Sequence, residues 1–230
     1  MTSFAFVFPG QGSQSVGMLD AWGDHPVVVE TLAEASDALG ENLGQLIHEG
    51  PKETLALTTN TQPVMLVAGV AAYRMWRAEG GAAPAIVAGH SLGEYSALVA
   101  AEVLTLAQAA PLVRFRAAAM QEAVPVGTGA MAEFGAGSPE VVEAVNFNDP
   151  AQTVIAGSKA AVDRACEVLK GLGAKRALPL PVSAPFHSSL MKPAAEKLRA
   201  KLAETALATP RIPVLNNIDV AVETDAERIR

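Results

Sequence analysis

The spacing of apolar and polar positions changes twice along the chain, and these changes define its expected elements. Residues 4–8 are a short, nearly continuous apolar run ended by Pro9-Gly10, the pattern of a strand buried on both faces of a parallel sheet. Helical spacing follows over 26–39, with Asp24 as a capping candidate and Gly40 as the stop, and over 43–48, closed by Gly50-Pro51. A longer helix is expected at 62–79, capped by Asn60-Thr61 and apolar on most sides through Val64, Val67, Val70 and Ala71. Residues 85–88 are a second apolar run leading into helical spacing at 92–101. Thr105 then caps a stretch to 122, in which Pro111 should kink or restart the helix.

From Gly127 the runs shorten, predicting strands at 130–134, 141–148, 153–156 and 176–182 around a helix at 159–172. An amphipathic helix at 192–207 and a strand at 212–218 come last. Strands interleaved with helices predict an α/β fold with a mostly parallel central sheet. Residues 1–126 and 189–230 would form a large subdomain, and 127–188 a small one inserted into it. The six residues between the runs ending at Phe134 and beginning at Val141 are too few for a crossover, so a helix is expected to be missing near 135–138.

Composition narrows the class. Half of the 230 residues are hydrophobic and 18% are charged, with a mean hydropathy of +0.25, which describes a well-cored globular chain. The single cysteine excludes an internal disulfide framework. The opening residues carry no signal-peptide pattern, so a reducing, cytoplasmic compartment is expected. The apolar stretch 63–73 is ended by Arg74 and is too short to cross a bilayer.

A net charge of −7 argues against nucleic acid, but the charge is uneven. From Lys159 to Lys201 nine basic residues face three acidic ones, a local +6, which leaves −13 on the rest. That segment is either a pair of solvated helix faces or a docking surface for an acidic partner.

Candidate chemistry centres on Gly89-His90-Ser91-Leu92-Gly93. A Gly-x-Ser-x-Gly frame between a strand and a helix is the pattern of a nucleophile elbow, although Ser91 could also be an ordinary helix N-cap. At an elbow the Leu92 N–H and the helix dipole can hold an oxyanion. The loop Gly10-Gln11-Gly12 misses the dinucleotide-binding fingerprint, because Ser15 stands where the third glycine is required. It could instead offer a second main-chain donor at Gln11.

Arg116 falls on the buried stripe of its helix with Leu106, Ala109, Ala110, Val113, Ala117 and Met120, whereas Arg114 points elsewhere. An inward guanidinium needs a carboxylate, either from the core or from a substrate. Of the four histidines His187 is the best general base, in a loop beside a Pro-Phe pair expected to wall it from water; His90 should project away from Ser91, and His25 and His48 lie at polar helix ends. Cys166 belongs to the apolar stripe of its helix and is expected in the core. No cluster of histidine, cysteine and carboxylate has metal-ligand spacing.

Four stretches in order, Pro9-Gly-Gln-Gly-Ser-Gln, Gly89-His-Ser-Leu-Gly-Glu-Tyr-Ser, Arg116 with Met120-Gln121-Glu122, and Ala184-Pro-Phe-His187-Ser-Ser-Leu-Met, closely resemble the malonyl-CoA:acyl-carrier-protein transacylases. The resemblance implies an α/β-hydrolase-like large subdomain carrying a ferredoxin-like small one. It implies Ser91 as nucleophile, His187 as base, Arg116 as clamp for the malonyl carboxylate, and the Gln11 and Leu92 N–H groups as oxyanion hole. It also implies a histidine oriented by a main-chain carbonyl, no bound cofactor, malonyl-CoA as substrate and acyl carrier protein as partner.

Phe186 matches the bulky aromatic that keeps the acyl pocket small in related polyketide acyltransferases. Relatives continue past the position of Arg230, so a longer polypeptide is expected. The readings from other classes are a serine thioesterase, which has no need of an inward arginine, and a non-catalytic carrier-binding module.

Overall fold

The computed structural model describes residues 3–124, 141–180, 182 and 184–230, with 129–132 by their backbone alone. Two units are present, Met1–Phe115 with Lys201–Arg230, and Arg116–Ala200. In the first, β1 (Ala5–Phe8) runs parallel to β2 (Ile86–Gly89), β2 parallel to β6 (Val214–Leu215), and β6 antiparallel to β7 (Val222–Glu223). β1 is not buried on both faces as its apolar run suggested. Phe8 is buried and Phe6 half-buried, their rings meeting Tyr73, while Val7 on the opposite face is 67% exposed.

Tyr73 belongs to α4 (Thr58–Ala78), whose residues 61–68 are all buried. Asn60 and Thr61 do not cap α4, which begins at Thr58, four residues before the expected start at Gln62. Their side chains bond back to the Thr54 and Leu55 carbonyls at 2.9 and 2.6 Å, satisfying the turn before the helix. α1 (Pro26–Leu39) likewise has His25 rather than Asp24 at its N-cap and starts on a proline with fixed φ; α2 (Leu43–Glu49) and α3 (Lys52–Leu55) lead from it to α4.

α5 (Gly93–Ala100) follows β2 directly. α6 (Leu106–Ala123) is capped by a reciprocal box in which Thr105 Oγ1 accepts from the Gln108 N–H at 3.1 Å and Gln108 Oε1 from the Thr105 N–H at 2.9 Å. Pro111 does not restart it. A proline costs one ladder bond, and here the buried stripe Leu106, Ala109, Ala110, Val113 and Ala117, each 0% exposed, holds the helix through it. The strand expected over 212–218 stops at Leu215, because Asn216 Oδ1 accepts from the Ile218 and Asp219 N–H groups and turns the chain.

In the second unit β3 (Gly129–Ala132), β5 (Gln152–Ser158) and β4 (Val142–Asp149) form an antiparallel sheet in the order β3-β5-β4. Successive β5 residues feed opposite layers. Ile155 packs with Val162, Ala165 and Cys166 of α7 (Lys159–Gly171), and Ala156 with Ala119, Met120, Phe186, Met191 and Ala194. That second layer explains where the units part. The end of α6 and most of α8 (Lys192–Ala203) pack within this unit, so the division falls at 115/116 and 200/201 and not at 126/127 and 188/189.

The strand expected over 176–182 does not form among its described residues. Pro179 and Pro181 lack the N–H groups a ladder requires, and among the described residues of this stretch only Ala177 is buried. The stretch near 135–138, where a helix is expected to be missing, lies outside the described residues. α9 (Ala226–Ile229) is the last helix described, and none of the described helices is long and apolar enough to cross a membrane.

Candidate active site

β2 ends at Gly89 and α5 begins at Gly93, so Ser91 occupies the turn between them, closed by the Gly93 N–H donating to the His90 carbonyl at 2.9 Å. Ser91 has a φ of 51°. Left-handed backbone is strained for a serine and persists only where its surroundings enforce it. The two glycines show that enforcement: a Cβ on Gly89 would lie 2.0 Å from Gly93 main-chain atoms, and one on Gly93 2.3 Å from the Phe8 carbonyl oxygen. Strand, turn and helix can approach this closely only without those side chains.

The same contact brings the loop after β1 against the elbow. Gln11 stands in that loop, its side-chain oxygen accepting from Thr58 Oγ1 at 2.6 Å at the start of α4. Among the described residues neither the Gln11 N–H nor the Leu92 N–H has an internal acceptor. Two uncommitted main-chain donors, one on each side of the elbow's close contact, are what an oxyanion would require. The Ser91 N–H, by contrast, is taken by Asn217 Oδ1 at 2.8 Å.

In the second unit Phe186, 7% exposed, anchors its loop in the core, and His187 follows on a tight turn with a φ of 65°. The turn is held by Ser188 Oγ donating to the Pro185 carbonyl at 2.7 Å and by the Ser189 N–H donating to the Glu143 carboxylate at 2.5 Å. His187 is exposed, not walled from water, because Pro185 and Phe186 turn inward away from it. A cavity of about 280 Å³ is lined by Arg116, Met120, His187, Met191, Lys192 and Leu198, among others. Arg116 is 9% exposed, so helix periodicity placed it correctly. Phe186 packs in the core next to this cavity and does not line it.

Other candidates are structural. Arg114 pairs with the Glu41 carboxylate and donates to Asn60 Oδ1 at 3.2 Å. His25 meets the Glu79 carboxylate at 3.1 Å, and His48 that of Asp20, both at the surface. Cys166 is 5% exposed in the core, and burial pushes its thiol pKa up. Among the described residues no three His, Cys, Asp or Glu side chains group to hold a metal ion. Sequence patterns missed Asn217, Thr58 and Lys192. The only signal for the first was a paired asparagine at a strand end, which marks a turn but not its target.

A serine on a strand–helix turn in the first unit, and an arginine and a histidine on one cavity of the second, are residue types that acyl-group chemistry uses. The chain belongs to the acyl transferase domain family, which it matches over residues 5–227. It is 55% identical to the malonyl CoA-acyl carrier protein transacylase of Escherichia coli strain K12, across all of this chain and 79% of that protein. It is 42% identical to the protein of the same name from Bacillus subtilis, across all of this chain and 77% of the other. The acyl-carrier-protein S-malonyltransferase of Burkholderia pseudomallei superposes with a TM-score of 0.94 at 62% identity, covering 99% of this chain and 78% of that one. A malonyl-transacylase solved in complex with its type II PKS acyl-carrier protein gives 0.94 at 52% identity, with 99% and 78% covered.

Proposed function

We propose that this acyltransferase moves a malonyl group from malonyl-CoA to the phosphopantetheine thiol of an acyl carrier protein through a malonyl ester on Ser91. His187 takes the Ser91 proton as Oγ attacks the thioester carbon. The carbon–sulfur bond breaks, and coenzyme A leaves as a thiol with the proton from His187. The carrier thiol then gives its proton to His187 and attacks the ester, and Ser91 is released and reprotonated. The Gln11 and Leu92 N–H groups receive the oxyanion in both steps, and their lack of acceptors among the described residues supports that role.

The observation that carries the malonyl reading is the cavity on which a buried Arg116 and His187 meet, since a thioesterase needs no cation for a distal carboxylate. Phe186 limits acyl size through the packing that sets the His187 loop. The larger unit is read as α/β-hydrolase-like and the smaller as ferredoxin-like, in a reducing, cytoplasmic setting that suits one buried thiol.

The carrier protein is read as docking on the basic segment. Lys159, Lys170 and Lys197 are paired with Asp163, Glu167 and Glu122, whereas Lys175 and Arg176 are exposed among Leu172, Leu178 and Leu180, which are 78%, 56% and 41% exposed. Exposed leucines rimmed by cations fit an acidic partner with an apolar face. Intact-mass measurement after brief exposure to malonyl-CoA tests the central claim: a malonyl adduct on wild type and none on Ser91→Ala supports it. Label on another residue, or net release of free malonate without a carrier, overturns it.

A further inference from the structure

The turn between β6 and β7 presents one side chain to both flanks of the elbow. Asn217 Oδ1 accepts from the Ser91 N–H at 2.8 Å, and its amide nitrogen donates to the Gly89 carbonyl at 2.5 Å and to the Glu94 carboxylate. The Glu94 carboxylate also accepts the Asn217 main-chain N–H at 3.2 Å. The amide orientation follows from chemistry, since reversing it would set NH₂ against an N–H and oxygen against two acceptors. The turn is itself braced: Asn216 Oδ1 accepts from the Ile218 and Asp219 N–H groups, and Asp219 Oδ1 accepts from that of Ala221.

We propose that Asn217 is a positioning residue for Ser91. It ties the residue before the turn, the turn itself and the first helical turn into one unit, and so holds Ser91 at its φ of 51°. By occupying the Ser91 N–H it also leaves Leu92 as the donor at the helix end. Asn217 is exposed, so water can replace each bond singly in a variant, and folding stability should change little. Water cannot fix three groups relative to one another, which is what orientation of an attacking oxygen demands. The inference rests on Ser91 being the nucleophile.

The test is single-turnover malonyl-enzyme formation, with melting temperature measured alongside. Asn217→Ala should lower the acylation rate roughly 10- to 100-fold at saturating malonyl-CoA while half-saturation moves less than about threefold. Asn217→Asp should be worse, because it sets a carboxylate against the Gly89 carbonyl and the Glu94 carboxylate. Adding Glu94→Gln to Asn217→Asp returns an amide donor from the other side and should recover most of the rate; added to Asn217→Ala it should recover none.

A wild-type rate in either single variant, or Asn217→Asp unmoved by Glu94→Gln, overturns the inference. A fall in melting temperature that accounts for the rate loss does the same. If Asn217→Ala does not fold, the comparison of Asn217→Asp with and without Glu94→Gln carries the test alone. Acylation surviving in Ser91→Ala would overturn the nucleophile assignment itself. Acylation confined to Ser91 with unaffected Asn217 variants would overturn only the role of Asn217.

Discussion

Arg116→Ala separates a substrate clamp from a structural cation. Arg116 is 9% exposed and lines a cavity whose other walls include Met120, Met191 and Leu198, so a malonyl carboxylate entering the variant would lose its water against thioether and methyl groups. Removing one member of a buried charge pair costs about 2–5 kcal/mol. At about 1.4 kcal/mol per factor of ten, that is roughly 30- to 4,000-fold in kcat/KM for malonyl-CoA.

The structure favours the lower half of that range. Lys192, exposed on the same cavity, is a second cation that can approach the carboxylate from its wet side, where screening weakens it. Acetyl-CoA has no carboxylate, and its slower acylation should fall by no more than about threefold. Arg116→Lys should lie between, because it keeps the charge and loses the two parallel N–H donors. The assay is the rate of acyl-enzyme formation by intact mass with each thioester, with Arg114→Ala as control, since that residue is committed to Glu41 and Asn60. Equal losses for malonyl and acetyl would refute the clamp and make Arg116 a packing residue.

Reversing Lys175 and Arg176 to glutamate should slow transfer to carrier protein, most at low salt, and leave acylation by malonyl-CoA unchanged; equal slowing of both half-reactions counts against docking there. Gly93→Ala should destabilise by about 1–3 kcal/mol or more and abolish acylation, because its Cβ would sit 2.3 Å from the Phe8 carbonyl oxygen; an active variant with an unchanged melting curve would show that the elbow tolerates a wider turn. Cys166 keeps its proton to higher pH than a free thiol because burial raises its pKa, so native protein should react with a thiol reagent only slowly at pH 8 and fully once denatured, whereas prompt native labelling would contradict its place in the core.

What the sequence revealed of this fold was set by how far each signal reaches along the chain. The elbow was legible because its requirements are local: two glycines, a serine and a helix start within five residues, the two glycines standing where a Cβ would clash. Arg116 was legible because helical period alone separates it from Arg114. Errors arose where a local rule met a stronger one. An apolar run at 176–182 looked like a strand until its two prolines are weighed as missing donors. Asn60-Thr61 looked like a cap because those residue types usually are, yet they bond backward across the preceding turn.

Asn217 was out of reach for a different reason. Its bond to Ser91 spans 126 residues, and nothing periodic leads to it. Asparagine is common in turns for the sake of its own backbone, which is what Asn216 does here, accepting from Ile218 and Asp219. That self-bracing frees the next side chain to point outward at another element, so the pair Asn216-Asn217 divides two tasks that one asparagine could not perform. The first fixes the loop, and the second uses the fixed loop to hold Ser91. Asn216→Ala should therefore reproduce part of the acylation defect of Asn217→Ala although neither of the two bonds its side chain accepts reaches the elbow, and normal acylation in that variant would show that the loop holds its shape without the brace.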